Sequence, residues 1–218
     1  MKRAAYQEQL AQVPVEKLVF LDQCGFSLAL HRLYGWVVGG GRCIERVPFH
    51  LQRGHAHAVV GALSLPTPDC PSGLRALWQK SGTWTRALFE AFLQDALLPV
   101  LAPGSVLVLD NARIVLDNAR IVLDNARIHH GGQIAALVEK AGCSLLYLPP
   151  YSPDLPPYSP DFNPIEMLWS WLKNHLRALA PRDKEQRWRD IQDTAHALPH
   201  HFATHWFKHV RLHLPELL

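Results

Sequence analysis

The chain has 218 residues, 48% of them apolar, with a formal net charge of +3 and 13 histidines in reserve. That length suits one compact domain, able to bury roughly 70% of its unfolded surface without disulfides or structural metal, and the charge permits a nucleic-acid partner without announcing one. Cys24, Cys43, Cys70 and Cys143 form no CxxC pair, no apolar run approaches the ~20 residues of a membrane span, and Met1-Lys2-Arg3 leads into no signal-peptide core; a soluble, cytoplasmic protein with reduced thiols and no membrane partner is expected.

Lys17 to Asp22 (KLVFLD) reads as a short buried strand ending on an acid. Gly25 allows a turn, with Phe26 to Leu30 returning as the hairpin partner. Trp36 to Gly41 is a glycine-rich turn before strand-like Cys43 to Phe49, and Ala58 to Leu65 is a further strand ahead of Pro66-Thr67-Pro68. Up to that break the pattern is a β-meander. Beyond it, Thr83 to Val100 has helical spacing, with Leu88, Phe92, Leu93 and Leu97 on one side. Ser105 to Asp110 (SVLVLD) is a second strand ending on an acid. A helix opens at Gly131-Gly132 and closes at Gly142, a C-terminal cap. Ser144 to Leu148 is a strand, a proline-rich loop comes next, and Asn163-Pro164-Ile165-Glu166 begins a helix carrying Trp169, Trp171 and Leu172. A meander followed by alternating strands and helices predicts an α/β fold with a sheet of mixed direction.

Two perfect duplications interrupt this order. Val108 to Ile114 (VLDNARI) recurs at Val115 to Ile121 and at Val122 to Ile128, and Leu148 to Asp154 (LPPYSPD) recurs as Leu155 to Asp161. Solenoid repeats diverge, whereas these are identical. One copy of each is read as functional and the rest as insertion.

Three acids stand out by placement: Asp22 at one strand end, an Asp of Asp-Asn-Ala at another, and Glu166 at a helix start. Strand ends of an α/β sheet bring distant segments together, and carboxylates are the hard ligands that suit Mg2+. Each acid also has a plain structural reading. Asp22 can begin a turn, the second Asp can close its strand and cap the next segment, and Glu166 sits where a glutamate completes a capping box with Asn163.

The surrounding motifs decide between these readings. Leu-Asp-Asn-Ala-Arg-Ile-His-His (123–130) and Leu-Pro-Pro-Tyr-Ser-Pro-Asp-Phe-Asn-Pro-Ile-Glu-Met-Leu-Trp-Ser-Trp-Leu-Lys (155–173) closely resemble the second and third catalytic motifs of DDE transposases. The likeness is to the mariner-like superfamily and, within it, to bacterial insertion-sequence transposases. Phe20-Leu21-Asp22-Gln23-Cys24-Gly25-Phe26 resembles the first motif, with Gln23 where Glu is more usual; Gly35-Trp36 and Gly61-Ala62-Leu63-Ser64 are further landmarks. The resemblance runs from about residue 15 to about 180. It implies a ribonuclease H-like catalytic domain, an α/β fold with a mixed five-stranded sheet flanked by helices, over 16–180, after a short segment 1–15 and before a helical appendage 181–218, in a bacterial, nucleoid-associated protein.

The resemblance also implies a reaction and its residues. Asp22, Asp124 and Glu166 would be catalytic and would hold Mg2+ or Mn2+, as two ions. DNA strand cleavage would be followed by attack of the freed 3′-hydroxyl on target DNA, usually at TA. Between Asp124 and Glu166 lie 41 residues, and one seven-residue copy fewer leaves the 34 that this superfamily typically shows. Asp110 is the alternative to Asp124. It keeps the longer strand ahead of it, whereas Asp124 keeps the family-like sequence behind it, and Asp124 is preferred because an excursion before the strand disturbs the site less than an insertion after it. Lys173 and Arg177, on nearly one helix face with Glu166, and His129 are candidates for DNA contacts; for the two helical cations a solvated basic face is an equal alternative. Double-stranded DNA, a second copy of the chain, and a separate or frameshift-joined helix-turn-helix product are the implied partners, since about 15 residues precede the first strand.

His201, His205, His209 and His213 recur every four residues. Such spacing can bind Zn2+, but Trp206, Phe207, Val210 and Leu212 make a packed amphipathic helix the simpler expectation. Three functions stay open: an active transposase catalytic domain, an inactive remnant that binds DNA or a full-length transposase, and another ribonuclease H-like nuclease.

Overall fold

A computed structural model describes residues 10, 12–27, 30, 32, 34–44, 57–82, 84–109, 132–147, 163–181 and 183–210. Five strands form one sheet: β1 (Leu18–Phe26), β2 (His57–Ser64), β3 (Leu74–Ser81), β4 (Val106–Leu109) and β5 (Ser144–Tyr147). Their order is β3-β2-β1-β4-β5. The first three pair antiparallel, and β4 and β5 add to β1 in parallel. The mixed five-stranded sheet expected of the ribonuclease H-like resemblance is therefore present.

Two helical layers cover it. On one face lie α1 (Arg86–Phe92) and α2 (Gly132–Lys140), and on the other α3 (Ile165–Leu179), α4 (Lys184–His196) and α5 (His200–His209). The period of two along β1 separates the layers. Leu18, Phe20, Cys24 and Phe26 join the core beneath α3, α4 and α5, whereas Val19 and Leu21 join the core beneath α1 and α2. The two C-terminal helices are integral to that first core, because Ile191, Ala195, Ala203 and Phe207 are buried in the same cluster as Phe20.

Local chemistry explains the helix ends. Thr85 Oγ1 accepts from the Leu88 N–H at 3.4 Å to start α1, and Asp183 Oδ1 accepts from the Gln186 N–H at 2.8 Å to start α4. Gly142, with φ of 72°, ends α2 as expected. Its N–H reaches the Glu139 carbonyl while Cys143 N–H reaches that of Val138, the paired bonds of a Schellman cap. The long helix expected over 83–100 is α only to Phe92, then a π-turn (Leu93–Leu97) and a 3-10 turn (Leu98–Val100) containing Pro99.

Three strand expectations need correction. β1 runs straight through Gly25, which pairs with Ala58, and Phe26 pairs with His57 rather than opening a hairpin strand of its own. Burying Cys24 and Phe26 on the face of Phe20 favours continuing the strand over turning it. Cys43 and Ile44 are not in a strand, and the rest of 43–49 lies outside the described residues. The edge strand β3, which the sequence reading missed, takes the remaining place.

Candidate active site

The alternation of β1 that buries Phe20 and Cys24 under α3 sends Asp22 to the same face. Asp22 is half-buried, and α3 lies across β1 and β2 at this point. The start of α3 is set by its sequence. Asn163 Oδ1 accepts from the Ile165 N–H at 3.2 Å, and Pro164 already holds helical dihedrals of −63° and −19°. Glu166 thus falls in the first turn, where a carboxylate complements the helix dipole. Glu166, Trp169 and Lys173 succeed one another at helical spacing along one face.

Strand and helix are joined at Trp169. Its Nε1–H donates to Asp22 Oδ2 at 2.9 Å, and the indole packs edge-on to Phe26, with centroids 6.3 Å apart. Gly61, directly opposite Asp22 on β2, leaves room for the ring: a Cβ there would come within 2.7 Å of Trp169 Cη2.

The electrostatics place four groups together. Burial pushes the Cys24 thiol up to about 11, Lys173 opposes that rise by charge and hydrogen bonding, and Asp22 and Glu166 reinforce it. Cys24 is accordingly a neutral thiol that feels two carboxylates and a cation. Lys173 is half-buried, with Nζ 6.0 Å from the centre of the Phe26 ring, so it is not part of a solvated face. Arg177 is half-buried too, and its Nη1 donates to Asn174 Oδ1 at 2.7 Å.

Of the candidate residues, then, Asp22, Glu166 and Lys173 share one site. Asp110, Asp124 and His129 lie outside the described residues. The strand beside β1 ends on Val108 and Leu109, the first two residues of the first copy of the repeat, with Leu109 opposite Leu21. Asp22 and Glu166 offer hard oxygen donors that fit Mg2+ or Mn2+, while no group of three or more His, Cys, Asp or Glu arranged to hold a metal ion occurs among the described residues. Sequence reasoning missed Cys24 and Trp169 as parts of the site. Trp169 carried one signal, its place one turn beyond Glu166.

The histidine stripe lies elsewhere. His201, His205 and His209 are exposed on α5, whose other side buries Ala203 and Phe207. His201 and His205 meet edge-on with centroids 5.3 Å apart, and His213 lies outside the described residues. The packed amphipathic helix is what forms.

A family model described as DDE superfamily endonuclease matches residues 17–155 and 155–187. Its two pieces meet at Leu155, the first residue of the second LPPYSPD copy. A search of curated proteins finds no match. Among solved structures the chain is similar to the Mos1 mariner paired end complex with Mn, at 15% identity and a TM-score of 0.62, covering 99% of this chain and 58% of that one. It is similar to the Mos1 strand transfer complex at 15% identity and 0.59, covering 96% and 59%. For the Mos1 transposase catalytic domain with raltegravir and Mg the values are 14% and 0.52, covering 99% and 89%. The chain thus spans 58% of the first of these structures and 89% of the isolated catalytic domain. These likenesses identify the fold as ribonuclease H-like, and the matched segments contain Asp22, all three Asp-Asn-Ala copies and Glu166. By that match the chain belongs to the DDE superfamily endonucleases.

Proposed function

We propose that this chain is a transposase catalytic domain that cuts DNA at the ends of an insertion sequence and joins the freed 3′-hydroxyl to target DNA, with TA as the expected target. Asp22, an acid following β4 and Glu166 would hold Mg2+ or Mn2+. The observation that carries this reading is the bond from Trp169 to Asp22, which ties the helix bearing Glu166 to the strand bearing Asp22. Two divalent ions, when bound, supply an activated water and stabilise the leaving oxygen of an in-line displacement. The chain's own part is to hold carboxylates from distant segments in one place, with Lys173 beside them. Lys173, Arg177 and His129 would meet DNA phosphates. A second copy of the chain and a helix-turn-helix product would bring the two DNA ends together.

For the middle acid, the register supports the first copy. Leu109, the last residue of β4, pairs with Leu21, the residue before Asp22, and Asp110 follows Leu109 in the sequence. Asp124 is the alternative on the grounds of its family-like flank.

The test is Mn2+-dependent nicking of a labelled duplex carrying the element's own terminal repeat. Nicking by wild type that is lost in Asp22→Ala, in Glu166→Ala and in only one of Asp110→Ala and Asp124→Ala establishes the enzyme and names the working copy. A second reading, a folded remnant that binds DNA or a full-length transposase without cutting, draws on the interruption of the family match at Leu155. A displacement near 1 Å can cost about a hundredfold in rate. No nicking by a folded wild type supplied with a DNA-binding partner establishes that reading, and cutting of an RNA–DNA hybrid instead would establish a ribonuclease H-type enzyme.

A further inference from the structure

We propose that Trp169 is a positioning residue for the Asp22 carboxylate, and that position 61 is glycine in order to seat it. The inference rests on the reading of Asp22 as a metal-holding carboxylate. Trp169 is 1% exposed, and a buried indole N–H needs an acceptor. The acceptor is Asp22 Oδ2, on a residue 147 positions away in the chain. A carboxylate offers about four acceptor sites on two oxygens; a fixed donor on one oxygen sets the torsion of the group and so aims the other.

The seat for the indole is built from both neighbouring strands. Phe26 meets it edge-on from β1, at an interplanar angle of 78°. Gly61 on β2 is the direct partner of Asp22, and the ring edge fills the space a side chain would take. The next β2 residues on this face, Val59 and Leu63, both carry branched side chains into the core. Glycine is therefore confined to the point where the ring crosses the strand. Because Trp169 lies three residues after Glu166 on α3, the same bond fixes where the first turn of α3 stands over Asp22.

A merely structural tryptophan would predict a stability loss on substitution and nothing more. A positioning role predicts weakened metal binding, since hydrogen-bond partners behind metal ligands typically contribute about 10–100-fold in affinity. The experiment measures Mn2+ binding to the full chain by electron paramagnetic resonance of the free ion. It compares wild type, Trp169→Phe, which keeps an aromatic ring and loses the N–H, Gly61→Ala, which keeps the N–H and crowds the ring, and Asp22→Ala. Thermal midpoints are recorded alongside.

The expected result is binding lost in Asp22→Ala and weakened about tenfold or more in Trp169→Phe and Gly61→Ala while both remain folded. The Mg2+ concentration for half-maximal nicking should rise in parallel. Wild-type affinity in both folded variants, with Asp22→Ala deficient, overturns the positioning role alone. Undiminished binding in Asp22→Ala overturns the metal-holding reading of Asp22 and the positioning role with it. Should Trp169→Phe fail to fold, Gly61→Ala decides by the same criteria.

Discussion

The two faces of the sheet are built from the same strands and differ in what they bury. Beneath α1 and α2 the side chains are apolar almost throughout: Phe89, Phe92, Leu93, Leu97, Ile134 and Val138 close on Val19, Leu21 and Val60. Beneath α3, α4 and α5 an equally apolar floor of Phe20, Leu63 and Phe207 is broken by Asp22, by buried His57 and Asn163, and by Arg187, which is fully buried. Burying polar groups is costly unless they are hydrogen-bonded. The first face therefore acts as scaffold, and the second accepts that penalty on the side that carries the proposed site. On β1 the change happens within a single step, from Leu21 to Asp22.

The sharpest way to break this comparison is to cut into each face. Glu166→Ala should abolish nicking, a loss of several orders of magnitude, while the urea midpoint stays near wild type because Glu166 is exposed. Phe92→Ala, on the scaffold face, should cost about 3–5 kcal/mol of stability in chemical denaturation. The molecules that remain folded should cut as wild type does. If Phe92→Ala impaired cutting at full folding, the division between the faces would fail.

A smaller effect should accompany a change of pH. His57 sits at the end of β2 against Trp188, with ring centroids 5.1 Å apart, and burial, helped by Arg187 and Lys184, lowers its pKa from 6.5 to about 4. Folding thus holds the ring neutral where the unfolded chain would protonate it. Its contribution is complete above about 6.5 and is lost as pH falls from there through about 4. His57→Gln should flatten the fall in urea midpoint across that window; an unchanged slope would place the titration elsewhere.

The smallest effect should come from the rim. Asp183→Ala removes the cap of α4 and should lower stability by about 1 kcal/mol, read as a modest drop in thermal midpoint with cutting unchanged.

The sequence was most legible where chemistry is local. KLVFLD announced the central strand and its acid, Gly142 announced the end of α2, and Asn163-Pro164 announced the start of α3. The edge strand β3 was not visible. LRALWQKS has no β-branched residue, carries Arg75 and Lys80, and its pairing slips at Ala62/Leu63, which blurs the alternation. Gly25 misled in the opposite direction: a glycine in a strand is only a weak turn signal once its neighbours are buried. In the site, Asp22 and Glu166 could be named from their motifs. The pairing of Trp169 with Gly61 could not, because nothing local to either residue encodes a contact made by laying a helix across two strands.

The span of the Trp169–Asp22 bond also has a meaning in time. At about 5–20 residues per second of synthesis, Asp22 leaves the ribosome roughly 7 to 30 seconds before its hydrogen-bond donor is made. A nascent or prematurely ended chain lacking α3 therefore displays the first acid without the residue that orients it. On the proposed function, cutting competence would arrive only with α3, a built-in delay before a newly made chain could act on DNA.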